Sequence, residues 1–420
     1  MADLRTSAAD DTLSGGKAGF SPSATVSSLN CSAHDIVSTV GMPMGSFFPG
    51  GFRLPPDFYH RYWQKEPLVI RGALADFRSP LSPDELAGLA CMDGVDARIV
   101  LEQGGNAPWE VRYGPFAQEI FSSMPKSHWT LLIQAVDHWD EKVAALRRLF
   151  PLIANWRIDD VMVSYACDRG SVGPHYDQYD VFLLQGMGRR RWRLGGPVAR
   201  DAALEEGLDL HLLKGFRTRA EYLLEVGDAL YLPPGHAHWG IADGECVTYS
   251  IGFRAPAHGE IIEACSANIA DRLREDQRYR DRVPDASGAP HPGEITADVI
   301  GRLHDIVIQH LTHESVAQWF GAYVTDPNYP EAKREFDASD AVKRLAAGAR
   351  CVPRPGSRFA FMRRADGLDL YADGRRFACP VEAEPWVLRL CDGESVGFGD
   401  GAEYRAVVVE LLRHGSIEFG

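Results

Sequence analysis

Gly173-Pro174-His175-Tyr176-Asp177-Gln178-Tyr179-Asp180 decides how this chain is read, together with Pro233-Pro234-Gly235-His236-Ala237-His238 downstream. In an extended strand, side chains two apart share a face, so His175 and Asp177 can hold one ion together. Pro174 cannot donate to a ladder, which suits the start of a strand. Alone, a His-x-Asp pair is more often a surface loop than a chelate. The second segment adds His238, and two imidazoles with one carboxylate are the ligand set of a non-haem Fe(II) oxygenase. Three protein ligands leave half of an octahedral ion open for a co-substrate and dioxygen.

Gly227-x5-Pro233-x-Gly235-x2-His238 has the spacing of the second cupin motif, a Gly/Pro turn that delivers a histidine into a barrel. Ala242 stands where that motif often ends in Asn. The first cupin motif supplies His-x-His and a later Glu; here the pair is His-x-Asp, and neither Val181 nor Phe182 can act as the Glu. A three-ligand site is therefore expected. His236 could share the face of His238, but the motif spacing selects His238 and leaves His236 either supporting the ligands from behind or packing beside them.

Gln185-Gly186-Met187-Gly188 reads as a turn and Arg189–Leu194 as the returning strand. Alternation puts Arg190, Trp192 and Leu194 on one face and Arg189, Arg191 and Arg193 on the other. The two apolar residues mark the Arg190 face as inward. A buried guanidinium needs an anion, because an uncompensated charge costs several kcal/mol. An internal acid would serve, but next to a facial triad a dicarboxylic co-substrate is the economical answer. 2-Oxoglutarate would chelate the metal through its keto-acid end and place its distal carboxylate on Arg190. Ser164 and Thr248, small hydroxyls in otherwise apolar strands, could assist; an ordinary strand role is the alternative for each.

The 420 residues are more than one domain usually needs, and an apolar fraction of 45% supports a sizeable core. A formal charge of −14 argues against general affinity for nucleic acid or anionic membranes and suits a basic partner. Eight scattered cysteines without a C-x-x-C pair read as free thiols of a reducing, cytoplasmic compartment. Asp3, Asp10 and Asp11 near the start do not read as a secretory signal, and no apolar run reaches membrane-spanning length.

Residues 1–45 are rich in Ser, Gly, Ala and Asp and read as a tail, with local order near Val37–Val40. Pro56–Gln64 and Ser82–Ala90 look helical, the latter capped by Ser82. Strands are expected at Trp129–Ala135, Asp160–Ala166, Asp180–Gln185, Arg190–Leu194, Ala229–Leu232 and Cys246–Phe253, a jelly-roll-like double sheet. Glu260–Asp276 and Ile295–Tyr323 carry helical periodicity. From Asp337 a small α/β unit with one or two helices follows, with a hairpin at Asp373-Gly374. The fold class is α+β, mainly β.

From about Phe48 to the C-terminus the chain resembles the Jumonji-C ribosomal oxygenases, in particular the bacterial protein-arginine hydroxylases. The resemblance is carried by Tyr62-Trp63-Gln64-Lys65-Glu66-Pro67, Ser82–Ala90, Gln134-Ala135-Val136-Asp137-His138-Trp139, Trp156-Arg157-Ile158-Asp159-Asp160, the triad segment, Gln185–Arg193, Pro233–Gly240 and Tyr249–Pro256. It implies a double-stranded β-helix over 46–256, a helical dimerisation region over 257–336 and a winged-helix-like domain over 337–420. It implies His175, Asp177 and His238 as iron ligands, and Arg190 as the 2-oxoglutarate anchor with Ser164 and Thr248 near the co-substrate. Fe(II), 2-oxoglutarate and dioxygen would be required, and the substrate would be an arginine, oxidised at its β-carbon, in a basic loop of a large-subunit ribosomal protein. A homodimer is implied as well.

Four rivals are open. Histidine hydroxylation and lysine demethylation use the same iron chemistry. A non-catalytic cupin with a nucleic-acid-binding C-terminal unit is opposed by the intact triad and by Arg344, Arg350, Arg354 and Arg358 being spread rather than clustered, so no direct DNA binding is expected. A small-molecule cupin would not need the long additions after residue 256.

Overall fold

The computed structural model describes residue 48 and residues 51–103, 109–150, 152–199, 201–207, 212–281, 291–327, 336–397 and 404–420. The expected tail over 1–45, with its order near Val37–Val40, lies outside them, as does Cys31.

Nine strands join in one antiparallel sheet: β1 (Leu68–Ile70), β2 (Ala97–Glu102), β3 (Trp109–Tyr113), β4 (Trp129–Ile133), β5 (Ile158–Ala166), β6 (Asp180–Pro197), β7 (Ala220–Leu224), β8 (Ala229–Leu232) and β9 (His236–Phe253). Their order is β1-β8-β6-β9-β5-β4-β2-β3, with β7 paired to β6. The first part of β6, from Asp180, lies against β8 and the end of β9; its second part, from Arg189, lies against β7 and the start of β9. Two long strands thus serve both layers of a cupin-type core.

The expected turn at Gln185–Gly188 is not formed. The chain continues without reversal as one 18-residue strand, with register shifts between Gln185 and Met187 and again between Met187 and Arg189. The glycines serve close approach rather than reversal. A Cβ on Gly188 would collide with the Glu245 carbonyl, and one on Gly186 would lie 2.5 Å from the Tyr249 ring. Bulges bend the strand from one layer into the other. Strands β1, β2, β3 and β7 are additions to the expected set, although β3 alternates, with Trp109, Val111 and Tyr113 on one face and Glu110 and Arg112 on the other.

One face of the sheet packs on an aromatic cluster. Phe58, Phe150, Phe182, Tyr231 and Phe253 are each at most 1% exposed, with ring centroids 4.7–5.7 Å apart. Each such ring contributes roughly 1.5–3 kcal/mol of burial. Four short helices cover this side: α1 (Phe58–Arg61), α2 (Pro83–Ala90), α3 (Glu119–Ser123) and α4 (Glu141–Leu146). Helix α1 spans only Phe58–Arg61 of the expected Pro56–Gln64, and Gln64 itself, at a φ of +59°, is outside any helical conformation. Ser82 caps α2 as expected: Glu85 N donates to its Oγ and Ser82 N donates to Glu85 Oε2 at 2.7 Å.

After the sheet come α5 (His258–Ala270), α6 (Ala297–His310) and α7 (His313–Thr325). The expected Ile295–Tyr323 helix is two helices, because Thr312 caps a new one by accepting from Ser315 N. The remaining elements are α8 (Ala338–Ala346), β10 (Cys351–Pro353), β11 (Phe359–Arg364), β12 (Gly367–Ala372), β13 (Arg375–Cys379), α9 (Glu384–Cys391), α10 (Arg405–His414) and β14 (Ile417–Phe419). Among the described residues that is three helices rather than one or two. The β12–β13 hairpin turns at Asp373 and Gly374, both with positive φ, as the Asp-Gly pair requires. No helix among the described residues is long and apolar enough to cross a membrane.

Candidate metal centre and anion pocket

His175, Asp177 and His238 each offer one ligand atom, and these atoms lie within 4.8 Å of one another. His238 comes from the start of β9. His175 is not in a strand, contrary to expectation, since the turn at Gly173 (φ +82°) and Pro174 keeps it in a loop. It reaches His238 through an isolated antiparallel bridge, His175 N to His238 O at 3.0 Å and His238 N to His175 O at 2.9 Å. Gly235 N donates to the Asp177 carbonyl at 2.7 Å, so both motif segments are clamped by main chain.

Both rings are oriented by carbonyls. Nδ1 of His175 donates to Gly173 O and Nδ1 of His238 donates to His236 O, each at 2.9 Å. Carbonyls only accept, so each Nε2 is left with its lone pair free. His238 Nε2 lies 3.6 Å from Asp177 Oδ2. Burial, then the neighbouring His175, pull His238 down to about 4, which keeps it neutral at pH 7. The described residues contain one such cluster, and its donors suit a divalent ion of intermediate hardness. His236 contributes its carbonyl, while its own Nδ1 is buried without a partner.

Deeper in the same barrel lies Arg190, 3% exposed. Its Nη1 donates to Ser164 Oγ at 3.1 Å and to Thr248 Oγ1 at 3.5 Å, and its Nη2 to Gly240 O at 3.4 Å. Among the described residues no ion pair is made by this guanidinium, and its Nε has no acceptor. Burial lowers its pKa. The alternation read from Arg189–Leu194 is present, with Trp192 and Leu194 buried beside Arg190. Arg189, Arg191 and Arg193 face outward onto Asp243 and Glu221. A buried, under-satisfied cation in a barrel with a convergent triad fits a dicarboxylate that bridges the two.

Several residues that shape the site are not among the expected site residues. Gly240 gives the guanidinium its space: a Cβ there would lie 2.6 Å from the Trp192 ring and 2.7 Å from Arg190 Nε. Gln185, fully buried, accepts from Thr248 Oγ1 at 3.3 Å. Asp160 shares a face of β5 with Met162 and Ser164, and Met162 pairs with Ser250 where Ser164 pairs with Thr248. The interior thus runs from Arg190 through Met162 and Ser250 to Asp160, which flanks Gly252 together with Tyr179. Burial, then Asp137 and Asp159, push Asp160 up to about 7. An acidic pair opening a strand, Asp159-Asp160, is the signal that could have found it.

Fold and site together define a cupin-type, metal-dependent oxygenase. A JmjC domain match covers residues 145–261 and a ROXA-like winged-helix match covers 305–418. The ribosomal protein uL16 3-hydroxylase of Escherichia coli is 38% identical over 333 residues, 77% of this chain and 86% of the relative. A probable ribosomal oxygenase of Haemophilus influenzae is 35% identical over 213 residues, 50% of this chain and 52% of the relative. A solved ribosomal oxygenase from Escherichia coli, in complex with cobalt and 2-oxoglutarate, superposes with a TM-score of 0.76 at 35% identity and covers 88% of this chain and 99% of its own. The chain belongs to the JmjC ribosomal oxygenase family. It is a 2-oxoglutarate-dependent oxygenase that uses iron.

Proposed function

We propose that this chain hydroxylates the β-carbon of an arginine in a large-subunit ribosomal protein, with His175, Asp177 and His238 holding Fe(II). The carrying observation is the triad and the counter-ion-free Arg190 in one barrel. Arg190, steadied by Ser164 and Thr248, would take the distal carboxylate of 2-oxoglutarate. When bound, iron and 2-oxoglutarate supply oxidative decarboxylation by dioxygen, giving succinate and carbon dioxide and leaving one oxygen atom for a C–H bond. The chain's own tasks are binding and exclusion. Carbonyl-tethered imidazoles keep their lone pairs aimed, buried Trp192 and Leu194 keep water from the guanidinium, and the mouth selects the side chain.

Asp160 favours arginine over histidine. Its Oδ2 is occupied by Ala135 N at 3.0 Å and Gln134 Nε2 at 3.2 Å, which leaves Oδ1 for an incoming cation. A guanidinium would match it in charge and geometry. The relative's name points to uL16 as the protein to try. Purified protein, Fe(II), 2-oxoglutarate and a uL16 peptide should give one added oxygen on an arginine β-carbon by tandem mass spectrometry. Oxygen on a histidine, or 2-oxoglutarate turnover with every ribosomal peptide unmodified, refutes the assignment.

We propose a division of the chain into 46–256, 257–336 and 337–420. Separate apolar cores support the first and last of these, one running from Phe58 to Phe253 and one from Ala341 to Ile417. Self-association through the helical region is supported by Ile300, Leu303, Val307 and Leu311, all 42–57% exposed along α6 and its end. Direct DNA binding is not part of the reading, because Arg363, Arg364, Arg376, Arg389 and Arg413 are each paired with an acid. A ribosomal substrate implies a cytoplasmic enzyme.

A further inference from the structure

We propose that Arg358, supplied by the C-terminal unit, is a positioning residue for the substrate-recognising edge of the barrel; this rests on the arginine reading above. The starting point is an irregularity in β5. Ile158 pairs with Phe253 and Val161 with Ile251, so Asp159 and Asp160 together stand against Gly252. A bulge of this kind re-aims side chains, and those beside active sites hold a reacting group off the regular pleat. Here the bulged pair is Asp159 and Asp160, and the Asp160 carboxylate is the one that flanks Gly252.

The bulge is held from both sides. On the barrel side, Ala135 N and Gln134 Nε2 grip Asp160 Oδ2, with Ala135 in the left-handed region at φ +49°. On the other side, Arg358 Nη1 donates to Asp159 Oδ1 at 3.1 Å and Nη2 donates to Ile158 O at 3.0 Å. Those two bonds cross about 200 positions of sequence and pin the two residues that precede Asp160. Arg358 is itself rigid: it is 5% exposed, its N donates to Asp373 Oδ1 at 2.8 Å, and Asp373 N donates back to Arg358 O at 3.1 Å. The Asp373-Gly374 hairpin turn therefore acts as the anchor, the guanidinium as the arm and the bulge as the load. Arg358 also pairs with Asp159, whose charge acts on Asp160 one residue away. A recognition group displaced by even an ångström loses much of its binding.

The test separates positioning from simple docking. Steady-state kinetics are measured on the full-length iron-loaded enzyme with the uL16 peptide. Arg358→Gln should raise the peptide KM about tenfold, with kcat within about twofold and the KM for 2-oxoglutarate unchanged. Arg358→Lys, with one donor group in place of a two-pronged fork, should fall between. Asp159→Asn, at a side chain 38% exposed, should raise the peptide KM several-fold even if the arginine variant folds poorly, and the double variant should be no worse than Arg358→Gln. Asn155→Ala is the control, since Asn155 Nδ2 donates to Cys391 O at 2.9 Å and so also bridges the barrel and the C-terminal unit. It should leave the peptide KM unchanged. An unchanged or lowered peptide KM in both Arg358→Gln and Asp159→Asn, or an equal rise in Asn155→Ala, overturns the inference while leaving the arginine reading intact. A wild-type enzyme that leaves the peptide arginine unmodified overturns both.

Discussion

Replacing Arg190 by Met should separate stability from ligand binding. The guanidinium is held by one bond of 3.1 Å and two at 3.4–3.5 Å, and its Nε is unsatisfied. Bonds at that length return on the order of 1 kcal/mol each. Its position 5.0 Å from the Trp192 ring centroid adds about 1 kcal/mol. Against these stands the desolvation of an unpaired buried cation, several kcal/mol even after relaxation. The terms nearly cancel, so the co-substrate-free variant should be as stable as wild type or up to about 2 kcal/mol more stable. Ligand binding behaves differently. Losing the cation partner of a buried carboxylate costs about 3 kcal/mol, so the 2-oxoglutarate Kd should rise roughly 100-fold. Thermal and denaturant unfolding with Mn(II), in the presence and absence of 2-oxoglutarate, measures both without turnover. A fall of more than about 1 kcal/mol in the co-substrate-free variant would show Arg190 to be a structural ion. Undiminished stabilisation by 2-oxoglutarate would remove it from the co-substrate site.

Gly240→Ala inserts a methyl group between Trp192 and Arg190, and should destabilise by about 1–3 kcal/mol and weaken 2-oxoglutarate at least tenfold, read by the same melts. His238 sits below its unfolded pKa, so the unfolded chain takes up a proton that the fold refuses. Metal-free protein should accordingly lose up to about 3 kcal/mol as pH falls from 6.5 to 4, and His238→Asn should flatten that slope in urea titrations. Mn(II) should raise the Tm of wild type and not of His175→Ala or Asp177→Ala, since a bound ion stabilises only the state that binds it. Leu303→Glu with Val307→Glu should convert a dimer to monomers by light scattering, without loss of 2-oxoglutarate binding; a dimer that persists would place the interface elsewhere.

The residues of the candidate triad and the inward arginine could be read directly. His-x-Asp, the Gly/Pro-spaced His238 and the alternation of Arg190-x-Trp192-x-Leu194 are local patterns. The Asp373-Gly374 turn and the Ser82 cap are legible for the same reason: each depends on a few consecutive residues and their own dihedrals. Reading Gly186 and Gly188 as a reversal failed because glycine permits both a turn and a close approach. The choice between them belonged to Glu245 and Tyr249 on a distant strand.

Residue chemistry along the chain was enough to propose an iron-type donor set, an anion-seeking guanidinium and the α+β class, because side-chain identity and a period of two are properties of neighbours. Long-range pairing did the rest. His175 meets His238 through a bridge between loops and strands far apart in sequence, Gly240 opens space only once Trp192 lies across from it, and Asp160 comes beside Gly252 where β5 bulges against β9. Register between remote strands and the slack of a bulge depend on the packing of the whole barrel, and no window of sequence contains that information.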